Sequence, residues 1–313
     1  MTATAKRRAA RLAGAIAGLL ALIAIYAVAL EPRRLQTVRY RLGVSNLPSA
    51  FQGTVIVHLT DFHVGMRGTR RSTLQHAIKA THAARPDLIA LTGDYVDEGI
   101  WERSASIIGE LTAIAPTIGV LGNHDRESSA SETSNVVDRL RGLGVQLLAN
   151  DHVAVAVRGG AAHLVIVAVD DPVTEHANLT AALRGLPSTA DPDQPALLLT
   201  HAPDIIDRAP ANRFVLTLAG HTHGAQVRLS PFHRRTPLDL PMVAGGLDSA
   251  YARGAHVVNG NPLFVNNGLG VSSLPVRFLA PPQIAIFTLE RGIDESCDAD
   301  DPGRFLSLEA TRR

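Results

Sequence analysis

Short apolar runs alternate with helical patterns through the middle of this chain. The apolar runs, rich in β-branched residues, lie at 54–60, 87–92, 117–122, 163–169, 196–200, 214–220, 263–268 and 284–289. Helical spacing of apolar residues lies between the early runs, at 70–84, 102–114 and 132–141. Near-continuous apolar strands that alternate with helices predict buried sheets with helices on the outside. The later runs lack long helices between them, so we expect part of the sheet system to be mixed or antiparallel.

The first 30 residues follow a different pattern. Basic residues precede an uncharged run from Leu12 to Leu30, which at about 1.5 Å per residue reaches across most of a bilayer core. We predict that 1–30 form an N-terminal hydrophobic helix that anchors the chain in a membrane. A cleaved signal is the alternative, because Ala27 and Ala29 make an Ala-x-Ala site and Arg7-Arg8 suits twin-arginine export. A buried soluble helix is the third interpretation. Basic residues flank both ends of the run, so the positive-inside rule discriminates little, and we expect the body on the extracytoplasmic side.

Composition divides the rest of the chain. Residues 31–52 are polar and contain proline, which predicts a connector, although "TVRYRL" within it alternates like a short strand. Residues 53–290 are predicted to be one catalytic domain, and 291–313 a polar, disordered tail.

Beyond residue 41 the net charge is −6, which argues against a broad nucleic-acid-binding face. With Cys297 as its one cysteine, the chain has no internal disulfide framework.

Polar residues of the kind that bind metals follow the strongest strands. Asp61 and His63 follow the first strand at i and i+2, so an extended backbone puts both on one face. Asp94 follows the second strand behind a glycine. The later strand ends carry Asn123, His124, Asp125, His201, His221 and His223. Because binding residues collect beyond the carboxyl ends of strands in sheets of this kind, we expect these side chains to converge.

The donor types indicate the chemistry of such a site. Two carboxylates, one amide and four imidazoles, without thiolate, suit Mn, Fe, Zn or Co better than Ca or Mg. The seven candidate ligands are Asp61, His63, Asp94, Asn123, His201, His221 and His223. They are too many for one tetrahedral ion but suit two ions that share a carboxylate. Two divalent ions and two aspartates leave a charge of about +2, which would attract a phosphate oxyanion and acidify a bound water.

In this order the motifs resemble those of the calcineurin-like metallophosphoesterase superfamily. They are Asp61-Phe62-His63, Gly93-Asp94, Gly122-Asn123-His124-Asp125, His201 and Gly220-His221-Thr222-His223. Residues 266–289 are similar to the end of the bacterial membrane-anchored branch of that superfamily. The resemblance covers roughly 50–290 and implies an α/β fold, a four-layer αββα sandwich with two mixed β-sheets flanked by helices.

The resemblance also implies a role for each matching residue. One divalent metal ion (Mn, Zn or Fe) would be held by Asp61, His63, Asp94 and His223. A second would be held by Asp94, Asn123, His201 and His221, with Asp94 bridging the two. His124 would be the catalytic acid that protonates the leaving oxygen, oriented by Asp125. Arg277 is a candidate contact for the substrate phosphate or for a loop; the alternative is a surface charge.

Together these residues predict a membrane-tethered phosphoesterase that hydrolyses a phosphodiester or pyrophosphate through a metal-activated hydroxide. The anchor favours a substrate in the membrane or envelope, such as a lipid-linked phosphoester. A promiscuous nucleotide phosphodiesterase or phosphatase is the alternative, and a metal-binding scaffold without catalysis is a further one. The sequence contains no P-loop, His-Glu-x-x-His or Gly-x-Ser-x-Gly motif, so an NTPase, a zincin and a hydrolase with a catalytic triad have no support.

Overall fold

Two β-sheets form the centre of the computed structural model, which describes residues 2–96, 101–126, 130–191, 193–228, 250–292 and 306–308. The strands of the first sheet are β1 (Gln36–Val44), β2 (Val55–Leu59), β3 (Leu88–Thr92), β4 (Thr117–Val120), β5 (Gln146–Leu147), β12 (Gln283–Arg291) and β13 (Leu306–Leu308). The strands of the second are β6 (Asp151–Val157), β7 (Ala162–Ala168), β8 (Ala196–Leu199), β9 (Leu216–Ala219), β10 (Gly254–Val258) and β11 (Asn261–Val265). Within the described residues the strand orders are β13-β1-β12-β2-β3-β4-β5 and β10-β11-β9-β8-β7-β6.

Both sheets are mixed, as the sequence predicts. In the first sheet β2, β3, β4 and β5 are parallel, β12 is antiparallel to β2, and β13 is antiparallel to β1. In the second sheet β7, β8, β9 and β11 are parallel, while the edge strands β6 and β10 are antiparallel to their neighbours. The parallel blocks matter for function because their carboxyl ends lie at one edge of each sheet.

Helices cover the outer faces of the two sheets. The described helices are α1 (Ala3–Ile25), α2 (Arg71–Ala84), α3 (Trp101–Thr112), α4 (Asn123–Arg126), α5 (Ala130–Gly142) and α6 (Leu179–Ala182). Strand residues alternate between faces: Ile56 and Leu88 pack in the core between the sheets, whereas Val57 and Ile89 pack against residues of α2 and α3. Residues of α6 and of the 3₁₀ turn Pro203–Arg208 cover the second sheet. The architecture is the four-layer αββα sandwich expected.

All eight predicted strands and all three predicted helices form, with ends shifted by a few residues. The main addition is β1, which lies inside the predicted connector 31–52 and pairs in parallel with β12 along nine residue pairs. Most of the predicted tail, at 293–305 and 309–313, lies outside the described residues. Of its described part, Arg291 ends β12 and β13 pairs with β1. The polar segment before the catalytic motifs is thus built into the first sheet.

The predicted N-terminal helix is also present. It is the one helix among the described residues that is long and apolar enough to cross a membrane. Its apolar side chains are solvent-exposed; Leu19 and Leu22, for example, are 58% and 66% exposed. Few of its atoms pack against the body, so its apolar surface is left without a protein partner, and the buried-helix interpretation finds no support.

Candidate metal centre

The carboxyl ends of five parallel strands converge on one buried cluster. The first sheet supplies Asp61 and His63 after β2, Asp94 after β3, and Asn123 and His124 at the start of α4 after β4. The second sheet supplies His201 after β8, and His221 and His223 after β9. All seven predicted metal ligands are buried, with at most 7% exposure each. The packing of one sheet on the other therefore brings together residues up to 162 positions apart in the chain.

Four of these residues form a first donor group. One ligand atom each from Asp61, His63, Asp94 and His223 lies within 4.8 Å of the other three. Nε2 of His63 is 3.1 Å from Nε2 of His223, and Nε2 of His223 is 3.5 Å from Oδ1 of Asp61. Such spacings are what ligands have when each lies about 2.0–2.2 Å from a shared ion.

A second donor group lies on the other side of Asp94. Nε2 of His201 and Nδ1 of His221 are each 3.1 Å from Oδ1 of Asn123 and 3.2 Å from each other. Oδ2 of Asp94 is 3.3 Å from Nε2 of His63 in the first group and also 3.3 Å from Nε2 of His201 in the second. One carboxylate oxygen is therefore shared by both groups.

The backbone takes an uncommon conformation at five of the donors. Asp61, His63, Asp94, His221 and His223 all have φ between +41° and +68°. Left-handed conformations cost energy for residues with a Cβ and are found at functional sites where the surroundings impose them. The same turns aim successive side chains in different directions, so His221 and His223 reach different donor groups although one residue separates them.

The flanking glycines make room for these turns in two ways. Gly93 and Gly224 themselves have positive φ, +91° and +62°. Gly122 and Gly220 do not, but a Cβ at Gly122 would overlap Oδ1 of Asp94, and one at Gly220 would overlap Oδ2 of Asp61. Positive φ and close approach are both easiest for a residue without a Cβ.

Burial and the charges of neighbouring side chains shift the pKa values of several residues in the cluster. Burial alone would lower the pKa of His201, but the adjacent Asp94 and Asp61 raise it to about 10. Burial would raise the pKa of Asp94, yet His201 and His63 hold it well below its usual range. Burial also lowers the pKa of His223 well below its ordinary value, with His63 and Arg277 adding to the effect. These shifts hold His223 and Asp94 in the forms that ligate metals, a neutral imidazole and an ionised carboxylate, whereas His201 would release its proton when an ion binds.

The residues present fit a divalent cation. Nitrogen and oxygen donors point at common centres, no thiolate is among them, and buried charge of this density requires a counter-ion or a proton. The donor set suits Mn, Fe or Zn better than Ca or Mg. The cluster therefore indicates divalent metal binding.

His124 and Asp125 lie beside the cluster and have different environments. The His124 ring packs edge-on against the ring of His63, with centroids 4.8 Å apart, and its backbone N–H donates to Oδ1 of Asp94. Asp125 is buried, and its two oxygens accept N–H bonds from Asp94, Tyr95 and Gly122 at 2.8–3.0 Å. These hydrogen bonds connect the loops after β3 and β4. Asp125 therefore fixes the position of Asp94 relative to α4.

Arg277 is fully buried rather than a surface charge. Nη1 donates to the carbonyl of Ala280 at 2.7 Å, and Nη2 donates to the carbonyl of Asn267 at 2.8 Å. Nη2 also lies 3.4 Å from Nδ1 of His223. These contacts match the predicted loop contact; the predicted role in substrate binding stays a prediction.

The sequence analysis does not identify one ion pair beside the site, that of Arg126 and Asp170. Arg126, directly after the Gly-Asn-His-Asp motif, forms two hydrogen bonds with Asp170, which follows β7. The two side chains are 17% and 6% exposed. Because Arg126 belongs to α4 and Asp170 to the second sheet, the pair fixes the helix that carries Asn123 and His124 across the boundary between the sheets.

Comparison with known proteins shows which family of enzymes the chain belongs to. The calcineurin-like phosphoesterase family matches residues 54–225, which include every predicted ligand. The chain belongs to this family and is a metal-dependent hydrolase of phosphoester bonds.

Three relatives extend the similarity beyond the family motifs. The uncharacterized metallophosphoesterase YkuE of Bacillus subtilis is 29% identical over 269 residues, which cover 85% of this chain and 89% of YkuE. Phosphodiesterase YaeI of Escherichia coli is 27% identical, covering 83% and 90% of the two chains. A transmembrane protein with metallophosphoesterase domain from Danio rerio is 25% identical, covering 87% of this chain and 61% of that protein.

Proposed function

We propose that this protein is a membrane-anchored phosphodiesterase that works with two divalent metal ions. The observation that carries the proposal is the position of Asp94, whose Oδ2 lies 3.3 Å from both His63 and His201. A carboxylate with ligands on both sides suits a bridge between two ions. Asp61, His63, Asp94 and His223 would hold one ion, and Asp94, Asn123, His201 and His221 the other.

Two ions at these positions would supply Lewis-acid chemistry, which polarises the phosphoryl oxygens and lowers the pKa of a water nucleophile. In the reaction the water releases a proton to solvent, its oxygen forms a bond to phosphorus, and the bond from phosphorus to the leaving oxygen breaks. His124 would donate a proton to the leaving oxygen. Its half-buried ring stands edge-on to His63 at the border of the cluster.

Asp125 would position rather than transfer protons in this scheme. Its oxygens are engaged by the backbone N–H groups of Asp94, Tyr95 and Gly122. It thereby fixes the bridging carboxylate and the helix that begins at Asn123. Holding reacting groups in place contributes strongly to catalysis.

A diester or pyrophosphate is the favoured substrate class. The name of the Escherichia coli relative, a phosphodiesterase, supports this choice. A promiscuous nucleotide phosphodiesterase or phosphatase is the second candidate, and it would share the same metal centre. For an enzyme that acts on a lipid-linked phosphoester, an apolar chain on the substrate should improve turnover. For a promiscuous nucleotide phosphodiesterase or phosphatase it should not.

The membrane anchor is supported by α1 and by the contacts that the segment directly after it makes with the body. Its side chains are exposed and apolar over a length that spans a bilayer. Cleavage after Ala29 would remove Ala27, whose carbonyl accepts a hydrogen bond from the backbone N–H of Arg277. A retained helix therefore fits the structure better than a cleaved signal.

A substrate panel with metal analysis tests the proposal. Full-length protein is loaded with Mn²⁺, Zn²⁺ or Fe²⁺, its metal content is measured, and turnover of diesters, monoesters and sugar-nucleotide lipids is compared. We expect about two ions per chain and the highest kcat/KM on diesters or pyrophosphates. Bound metal without turnover of any ester would favour the scaffold alternative, and monoesters as the best substrates would contradict the diester assignment.

A further inference from the structure

The end of α1 is fixed to the body by a short joint, defined here as residues 26–34. The carbonyl of Ala27 accepts the backbone N–H of Arg277 at 3.0 Å, and the carbonyl of Val28 accepts Nη2 of Arg70 at 3.0 Å. The ring of Tyr26 packs edge-on against Phe278, with centroids 6.0 Å apart. The helix therefore continues into the body without a free linker.

A buried carboxylate strengthens this joint. Glu31 is fully buried, and its two oxygens accept the backbone N–H groups of Ala280 at 2.7 Å and Leu279 at 2.9 Å. The hydroxyl of Thr73 donates to the carbonyl of Pro32 at 2.8 Å. Because a buried charge that loses its hydrogen bonds is costly, the joint holds one orientation of α1 relative to the body.

Two exposed apolar side chains lie on the segment 274–280, which the joint contacts through Arg277, Phe278, Leu279 and Ala280. Leu274 and Leu279 are 48% and 37% exposed, and Leu279 is the residue whose backbone N–H is bound by Glu31. Arg33 and Arg34 within the joint are exposed, and Nη1 of Arg34 donates to the hydroxyl of Tyr26, whose ring packs against Phe278. Apolar tips with basic side chains, continuous with the end of an apolar helix, match the boundary between headgroups and acyl chains in an anionic bilayer.

We propose that the joint and residues 274–280 form a membrane-contact face that holds the catalytic domain on the bilayer and presents the metal centre to phosphoesters of lipids. This inference rests on the proposed function, since it takes α1 as a retained anchor. Arg277 connects the face to the site: its backbone N–H binds Ala27, and its Nη2 lies 3.4 Å from Nδ1 of His223. The metal cluster is thus one side chain away from the end of the membrane helix.

Depth-dependent fluorescence quenching tests the face independently of catalysis. Trp101 is the chain's one tryptophan, so Leu274→Trp, Leu279→Trp and Val173→Trp are each made in a Trp101→Phe background of the full chain. Val173 is the matched control because it is 45% exposed on the loop after β7. In phosphatidylglycerol vesicles with brominated acyl chains, we expect strong quenching at 274 and 279 and little at 173. Equal quenching at all three positions would overturn the proposal.

A matched pair of substrates tests the consequence for catalysis. Hexadecyl p-nitrophenyl phosphate in vesicles and ethyl p-nitrophenyl phosphate in solution share the reacting diester and differ in the lipid chain. Replacing both leucines, Leu274→Ser with Leu279→Ser, should lower kcat/KM for the hexadecyl ester at least about fivefold, because apolar contact with the bilayer is lost. The ethyl ester should be unaffected, and Val173→Ser should change neither.

The two substrates separate failure of the inference from failure of the proposed function. Equal effects of the leucine double variant on both esters would contradict the membrane-contact face while the phosphodiesterase assignment stands. A parent protein that turns over neither ester would contradict the phosphodiesterase assignment, and the quenching result would still decide whether the face meets the bilayer.

Discussion

His63 and His223 direct their Nε2 atoms at each other across 3.1 Å, although 160 positions separate them in the chain. One follows β2 in the first sheet and the other follows β9 in the second. Two imidazole nitrogens at this distance, beside the carboxylates of Asp61 and Asp94, form a site that a cation completes. The relationship exists because the two sheets pack with the carboxyl ends of their parallel strands at the same edge.

The neighbouring histidines His221 and His223 should each be needed for a different ion of the proposed pair. His223→Ala removes a donor of the group around Asp61, and His221→Ala removes one of the group around Asn123. In Mn²⁺-loaded protein, we expect each variant to lose the spin-coupled signal of an ion pair in electron paramagnetic resonance and to retain about one uncoupled ion. The exposed His176→Ala is the control. Two coupled ions in either variant would contradict the assignment of that histidine.

His124 should be needed for proton transfer but not for metal binding. His124→Ala is expected to lower kcat by about 10²–10⁴-fold at unchanged metal content. A poor leaving group needs the proton more than p-nitrophenolate does, so the loss should be larger for alkyl diesters. An equal loss for both leaving groups would indicate a structural role, and full activity would remove His124 from the mechanism.

Gly220 should be intolerant of a side chain. A Cβ there would overlap Oγ1 of Thr60 and Oδ2 of Asp61, so Gly220→Ala should displace a metal ligand and lower both metal content and thermal stability. Gly109→Ala in α3 is the matched control, because its new Cβ would meet its nearest neighbour at 3.7 Å. That control should stabilise the helix by about 0.5–1 kcal/mol. Normal metal binding in Gly220→Ala would contradict the tight approach.

His58 in β2 should make the fold sensitive to acid. Burial lowers the pKa of His58 from 6.5 to about 3, and its Nε2 lies 2.8 Å from Oγ1 of Thr92. Below pH 6.5 the unfolded chain takes up a proton that the folded state excludes, so this stability, present above pH 6.5, is lost as the pH falls toward 3. At pH 5 the loss is about 2 kcal/mol.

Denaturant unfolding of metal-loaded protein at pH 7.5 and 5.0 checks this value. His58→Gln keeps a partner for Thr92 and does not titrate, so it should lose about 2 kcal/mol less than the parent between the two pH values. His163→Gln removes an exposed imidazole of β7 and serves as the control. Identical losses in the parent and in His58→Gln would contradict the burial of a neutral imidazole.

Much of the fold and of the ligand set is predictable from the sequence. Continuous apolar strands indicate buried sheets, and polar residues at their ends indicate an edge where side chains meet, so the proximity of Asp61, Asp94 and His201 is foreseeable. The motif order adds the expectation that His221 and His223 diverge. Their distances agree with this expectation, since His221 approaches Asn123 and His223 approaches His63.

Other features depend on tertiary packing that the sequence pattern does not encode. The run from Gln36 to Val44 contains a segment that alternates like a short strand, but its partner β12 lies near the other end of the chain, and no local pattern relates the two. Glu31 resembles a solvated charge until the fold puts two backbone N–H groups against it. The left-handed backbone at Asp61 and His63 has no signal in the sequence, because neither residue is a glycine.

Anomalous diffraction from crystals of the Mn²⁺-loaded protein tests the central claim most directly. The proposed function predicts two strong manganese peaks about 3.5–4 Å apart, with Oδ2 of Asp94 between them. Asp61, His63 and His223 should lie around one peak, and Asn123, His201 and His221 around the other. A single peak, or two peaks without Asp94 between them, would contradict the two-ion centre.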